Sequence, residues 1–248
     1  VAGIPIASFL SSMGWRIPFF VIAASSAVLW VILYKGFPNV APAASGGRLF
    51  APYAHVARSR PLLLSLIAYL LFQTGNFTAL SFIGSWLAKD FGADQNAIGT
   101  AMIVIGFGNA IGSLTGSRLV ARLGELRSLL FGIVALGAIY LGTAFVSSMR
   151  VAVIVLAVAM LVGGFLFPVL MSELQSHTDL ARGTVSSLAS AAMYAGATVG
   201  GAIGGHLLSR FTGYSGVAVF TVIAYAVSLG VYALGGAFKR PDFRILET

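Results

Sequence analysis

Tyr69, Gln73 and Asn76 recur at i, i+4 and i+7 inside an apolar segment, so a helix there carries three hydrogen-bonding side chains on one face. Two amides and a phenol are poor nucleophiles, yet they suit recognition of a small molecule's polar groups in a water-poor site. Asn109 and Ser113, also four apart, share a second face. Ser187, Ser190, Tyr194 and Thr198 form a third stripe, roughly opposite Gly196, Gly200 and Gly204, since a two-residue offset is about 200° of helix rotation. Gly163, Gly164 and Pro168 mark a place where one backbone donor is missing and a kink is favoured, with Phe165 and Phe167 flanking it. Lining a cavity is one account of these groups; bonding between helices is another for Gln73, Asn76 and Asn109. Glu173 and His177, four apart at the end of an apolar run, can exchange a proton, although a pair that fixes the loop beside Arg182 is the simpler account. His55 and His206 are isolated, there is no cysteine, and no G-x-x-x-x-G-K-[ST] loop or nucleophile with a base is present. The chain is therefore expected to be neither an enzyme nor a holder of a cofactor or metal.

The segments that must position these residues are apolar runs of spanning length. With 9% charged residues, 58% hydrophobic residues and a mean hydropathy of +0.95, the chain lies far from the roughly 25% charge of soluble domains. About 20 apolar residues cross a bilayer, which predicts full spans near 17–34, 61–88, 96–117, 128–147, 151–173, 184–209 and 216–238. Residues 1–13 are too short to cross and read as the last half of an eighth helix. Short gaps elsewhere predict that consecutive helices are antiparallel neighbours. The stretch 35–60, with Pro38, Pro42, Gly46, Gly47 and Pro52, is the one place to divide the chain. Gly75 is expected to let its helix bend. The spans at 17–34, 128–147 and 216–238, with only scattered Ser, Thr and Tyr, read as lipid-facing supports.

Lys and Arg alternate between the gaps. Lys35, Arg48, Arg58, Arg60, Arg118, Arg122, Arg127, Arg182, Lys239, Arg240 and Arg244 fall in every second gap, while the others hold only Arg16, Lys89, Arg150 and Arg210. Retention of basic residues on the cytoplasmic side then places residue 248 in the cytoplasm. The net charge of +8 is spread in small groups rather than along a stripe, which excludes nucleic acid as a partner. In each set of three spans after residue 60 the middle helix carries glycines every fourth residue: Gly108, Gly112 and Gly116, then Gly196, Gly200 and Gly204. Such stripes let backbones approach closely. Their matching positions point to a three-plus-three repeat.

Gly116-Ser-Arg-Leu-Val-Ala-Arg-Leu-Gly-Glu-Leu-Arg127 resembles the Gly-x4-Asp-Arg-x-Gly-Arg-Arg/Lys loop signature of the major facilitator superfamily. Gly116, Arg122 and Gly124 match and Arg127 supplies a further base, while Ala121 replaces the acid and Glu125 a base. Gly14-Trp15-Arg16 looks like the entry to that family's sixth helix, and Leu180 to Gly196 is similar to the entry to the eleventh in the drug- and sugar-efflux branch. Gly3-Ile-Pro5 resembles the tail of the antiporters' fifth-helix motif. The resemblance implies an all-α membrane protein: the C-terminal six-helix bundle of a major facilitator fold, with the sixth helix and the end of the fifth. It assigns 1–34 to those two helices, 35–60 to a cytoplasmic linker between bundles, 61–238 to the bundle and 239–248 to a cytoplasmic tail. It further implies an alternating-access carrier in the bacterial inner membrane, exchanging a small organic molecule for protons. Its partners are then the lipid bilayer, the substrate and an N-terminal bundle of the same polypeptide. No Asp, Glu, Lys or Arg lies near the middle of a span, so the coupling acids are expected in that other bundle. The residues thus expected at the cavity are Tyr69, Gln73, Asn76, Asn109, Ser113, Phe165, Phe167, Ser190 and Tyr194. A receptor or assembly subunit with seven spans is the alternative.

Overall fold

The computed structural model describes residues 10, 14–36, 51–177 and 182–239, and every regular element among them is helical. The helices are α1 (Ile17–Gly36), α2 (Ala51–Arg58), α3 (Arg60–Leu80), α4 (Ile83–Phe91), α5 (Gln95–Leu123), α6 (Glu125–Gly142), α7 (Met149–Gln175), α8 (Arg182–Arg210) and α9 (Ser215–Leu234). The expected half-helix over 1–13, most of the expected linker and the tail from 240 lie outside the described residues. So does the start of the segment likened to the eleventh-helix entry.

Local chemistry sets several boundaries. Asp94 caps α5, its carboxylate accepting from the Ala97 amide at 2.7 Å, and Ser148 caps α7 through the Val151 amide at 3.5 Å. A proline in the first turn of α3 sits where the missing amide hydrogen costs nothing. Between α5 and α6 only Gly124 intervenes, at φ +83°, a conformation that L side chains rarely adopt. Residues 118–123, expected between spans, therefore form the last turns of α5, so Arg118 and Arg122 project from a helix.

Two features of helix shape lie beyond what the sequence displays. The span at 61–88 is interrupted at Ser81–Phe82, between α3 and α4. Gly75 allows close approach: a Cβ there would lie 2.9 Å from the Ala224 Cβ and 3.2 Å from the Thr221 carbonyl of α9. The region read as linker also contains α2, which packs on the start of α3. Six segments among the described residues are long and apolar enough to cross a membrane: α1, α3 with α4, α5, α6 with its 3-10 turn, α7 and α9. The seventh expected span, α8, is about 43 Å long at 1.5 Å per residue. Its glycine stripe and its Ser/Thr stripe lower its apolar character.

Helices do not pack mainly on their sequence neighbours. The closest pairings are α5 with α7 and α3 with α8, followed by α3 with α9, α6 with α7 and α6 with α9. Exchanging α3, α5 and α6 for α7, α8 and α9 leaves this pattern unchanged, the packing rule of a repeat whose two halves interlock. The glycine stripes make the two tightest pairings. A Cβ on Gly108 or Gly112 would collide with the Ala157 or Leu161 carbonyl of α7, and one on Gly196 or Gly200 would stand 2.9 Å from the Thr74 or Thr78 amide nitrogen of α3.

The scattered polar residues of α9 also face inward. The Ser228 hydroxyl donates to the Ala68 carbonyl at 2.7 Å and the Thr221 hydroxyl to the Gly75 carbonyl at 3.2 Å, while Tyr225 and Tyr232 are buried. Against lipid these hydroxyls would have only their own helix to bond, so the polar side of α9 turns to α3 and its Val219, Ile223 and Val227 are exposed. By contrast, α1 buries none of its residues.

Candidate functional site

Pro168 organises the site through what it removes. It has no amide hydrogen to give the carbonyl of Gly164 four residues earlier, yet α7 runs unbroken from Met149 to Gln175. The Ser113 hydroxyl of α5 donates to that Gly164 carbonyl at 3.4 Å, and one turn away the Asn109 amide donates to the Met160 carbonyl at 3.4 Å. Both residues can reach because Gly164 has no side chain: a Cβ there would collide with the Asn109 carbonyl. The polar face of α5 is thus held against the weakened stretch of α7.

Across from it, α3 presents a hydrogen-bonded run. Tyr225 of α9 donates to Asn76 Oδ1 at 3.4 Å, Asn76 Nδ2 donates to Gln73 Oε1 at 3.3 Å, and Gln73 Nε2 donates to the Tyr69 hydroxyl at 2.7 Å. Phe72 stacks on Tyr225 with ring centroids 4.8 Å apart, which fixes the phenol that begins the run.

Between these two faces lies a cavity of about 250 Å³, lined in part by Gln73, Asn76, Asn109, Ser113 and Phe167, with Phe72, Met160 and Met193 supplying apolar surface. Every lining residue is uncharged. Gln73 and Asn76 each spend one amide hydrogen on the run and keep the other, so the cavity offers donors to a solute's hydroxyl or carbonyl oxygens.

The remaining expected residues are placed elsewhere. Tyr69 lies one turn beyond the cavity and is buried beneath Gln73. Phe165 points away and packs on Gly116 and Gly132, because two residues apart on a helix differ by about 200° and only Phe167 can face the cavity. Ser190 and Tyr194 sit on the exposed side of α8, Tyr194 being 67% exposed, and it is Met193 that reaches the cavity from that helix. The other apolar liners, such as Phe72, Met160 and Met193, were not singled out in the sequence, where nothing but a neighbouring polar residue distinguishes a cavity methionine or phenylalanine from a lipid-facing one. Of the loop residues, Gly116 packs against Phe165 and Gly124 makes the turn. Arg122 lines a surface cleft with Thr115, Arg118 and Leu119, and Arg127 has interactions of its own.

The family model for the Major Facilitator Superfamily matches residues 65–244. The chain belongs to this superfamily. It is 38% identical over 232 residues to the uncharacterized MFS-type transporter YceJ of Bacillus subtilis (strain 168), covering 93% of this chain and 60% of that protein. It is 27% identical over 250 residues to the inner membrane transport protein YdhP of Escherichia coli (strain K12), covering 98% of this chain and 62% of YdhP. The chain thus spans about three fifths of the length of these relatives. Among solved structures, the E. coli fucose:proton symporter FucP superposes with a TM-score of 0.67 at 16% identity, over 88% of this chain and 54% of FucP. At that identity the likeness shows the fold. The all-helical, multi-pass membrane architecture read from the sequence is that of a major facilitator fold, represented by part of its length.

Proposed function

We propose that this chain carries the cavity-lining part of a secondary transporter that moves a small neutral or amphipathic organic molecule outward by alternating access, in exchange for protons. The observation that carries this reading is the uncharged cavity between α3, α5 and α7, where spare amide donors of Gln73 and Asn76 face apolar walls. Neutral donors beside Phe and Met suit a sugar or an uncharged drug-like solute better than an ion. The names of the relatives support transport, and the solved neighbour is named a proton symporter of a sugar, which supports proton coupling. In this reading 61–238 forms one bundle, 1–34 belongs to a second bundle, 35–60 links the two, and the basic ends and the tail 239–248 face the cytoplasm at the inner membrane.

The test is solute movement in proteoliposomes containing the intact gene product, driven by an imposed proton gradient, with a radiolabelled monosaccharide and a fluorescent lipophilic dye as the two probes. Losing one solute-bonding amide of this kind is worth about 0.5–1.5 kcal/mol, so Gln73→Ala and Asn76→Ala should each weaken apparent affinity by about 2- to 12-fold. Unchanged transport in both variants would remove the site assignment. Absence of gradient-driven movement of either probe in the wild type would count against the function itself.

A further inference from the structure

The cavity draws its lining from α3, α5, α7 and α8, and α6 and α9 contribute nothing to it. A second hollow, of about 220 Å³, lies between those two helices. Side-chain size makes it. Gly137 and Ala138 of α6 and Ala226 of α9 leave the middle empty, while the α6 wall runs on to larger residues at either end, Ile133 and Leu141. The hollow is a groove with an open side: Val134 and Leu141 line it and are 53% and 41% exposed, and the adjoining Ile223 and Val227 of α9 are exposed as well.

Both walls are helices long and apolar enough to cross a membrane, so what meets the open side is hydrocarbon rather than water. At 1.5 Å per residue the α6 wall from Ile133 to Leu141 is about 12 Å long. One leaflet's share of a hydrocarbon core about 30 Å thick is about 15 Å, so the groove takes most of the length of one acyl chain. Spread over that length, 220 Å³ gives a section of about 18 Å², far below the roughly 80 Å² of a helix 10 Å across. The width thus admits a chain and excludes a helix from a second copy. Left empty, the groove would deprive its lining of partner atoms and forfeit their dispersion attraction. The one polar side chain of the lining, Tyr225, spends its hydroxyl on Asn76, so an occupant needs no hydrogen-bonding group.

That tyrosine joins the groove to the cavity. Its ring is held edge to edge between two glycines: Cδ2 would lie 3.7 Å from a Cβ on Gly137 of α6, and Cε1, at the opposite edge, 3.2 Å from one on Gly75 of α3. A ring face stacks on Phe72 with centroids 4.8 Å apart, and the hydroxyl donates to Asn76 Oδ1 at 3.4 Å. Phe72 and Asn76 both line the cavity. A single aromatic ring therefore separates the hydrocarbon-facing groove from the residues that face a solute, and a chain resting on one edge of it bears on both.

We propose that the groove between α6 and α9 binds one acyl chain of a bilayer phospholipid, and that its occupancy positions the Tyr225 ring and, through it, Asn76. Only the purpose of this coupling rests on the transport reading, since lipid binding can be measured without a solute. Because the lining is apolar, the groove selects for the chain and not for the headgroup.

The site is tested with the intact gene product in vesicles of phosphatidylethanolamine and phosphatidylglycerol that contain a trace of phospholipid carrying a diazirine in one acyl chain. After photolysis, peptide mass spectrometry should find about ten-fold more label per residue on the groove lining than on Val219 and Ile223, exposed residues of α9 outside it, a ratio equivalent to about 1.4 kcal/mol. In A226F, where a phenyl ring takes the chain's place, groove label should fall to the level at Val219. G137L fills the groove from the other wall and serves if A226F does not fold; if neither folds, the wild-type map decides alone. Even labelling in the wild type, undiminished label in a folded variant, or cross-links from the groove to a second copy in place of lipid each overturn the site. For the coupling, the Tyr225 Cζ resonance in solid-state NMR, assigned by its loss in Y225F, should shift when dioleoyl lipids are exchanged for methyl-branched diphytanoyl lipids, whose chains are too wide for the groove. In A226F the same exchange should leave it in place. A resonance that stays put in the wild type, or that shifts equally in A226F, overturns the coupling. A protein labelled in the groove that moves no solute contradicts the transport reading and leaves the site standing; transport with even labelling does the reverse.

Discussion

Gly200 and Gly201 are adjacent, chemically identical and predicted to respond in opposite ways to the same change. A Cβ on Gly200 would stand 2.5 Å from the Thr74 carbonyl oxygen and 2.9 Å from the Thr78 nitrogen of α3, whereas one on Gly201 would meet nothing within 4 Å. Ordinary contact begins at 3.4 Å, so α8 must withdraw from α3 by about 0.9 Å to accept the methyl. A gap of roughly 0.5–1 Å forfeits a quarter to a half of the dispersion attraction between atoms facing across it. In a bilayer that attraction is a main source of helix association, because apolar side chains gain nothing by leaving lipid. Overpacking of this kind costs about 1–3 kcal/mol. Gly201→Ala should fall within about 0.5 kcal/mol of wild type, as substitutions away from packed contacts do. Unfolding of the purified gene product by SDS, followed by circular dichroism, measures both. Gly112→Ala, the equivalent change between α5 and α7, should behave like Gly200→Ala. Equal destabilisation by Gly200→Ala and Gly201→Ala would refute the close-packing argument, since it would mean that glycine itself, rather than its facing backbone, sets the cost.

Two further outcomes follow from the backbone. Ser113→Ala should destabilise by about 0.6 kcal/mol, the average for such bonds in membranes, and the loss should shrink in a Pro168→Ala background, where an α7 amide can again bond the Gly164 carbonyl; a double-mutant cycle in the SDS assay measures this, and zero coupling would contradict it. Gly124→Ala, which forces an L residue to φ +83°, should cost about 1–2 kcal/mol; a neutral result there would show that the α5–α6 junction can relax to another turn.

What the sequence determined alone follows from signals that act within one helix or one gap. Apolar run length gave membrane spans, and the Gly116 to Arg127 motif pointed to the family. The polar faces at Gln73–Asn76 and Asn109–Ser113 were legible because helical periodicity puts them on one side whatever stands opposite. Periodicity does not say what stands opposite, and the tertiary structure decided that. Short gaps suggested neighbours in sequence, but the glycine stripes meet backbone of the other triplet, so α5 chose α7 and α8 chose α3. That choice turned Phe167 into the cavity and Phe165 away from it, left Tyr194 exposed, and brought Met193 in. It made Gly75 a contact with α9. It also enclosed Glu173, an end-of-helix acid in sequence, between Ser65 and His177. The physical reason is common to all four: in lipid, close packing and hydrogen bonding select helix partners, and both are properties of two surfaces together, of which a sequence displays only one at a time.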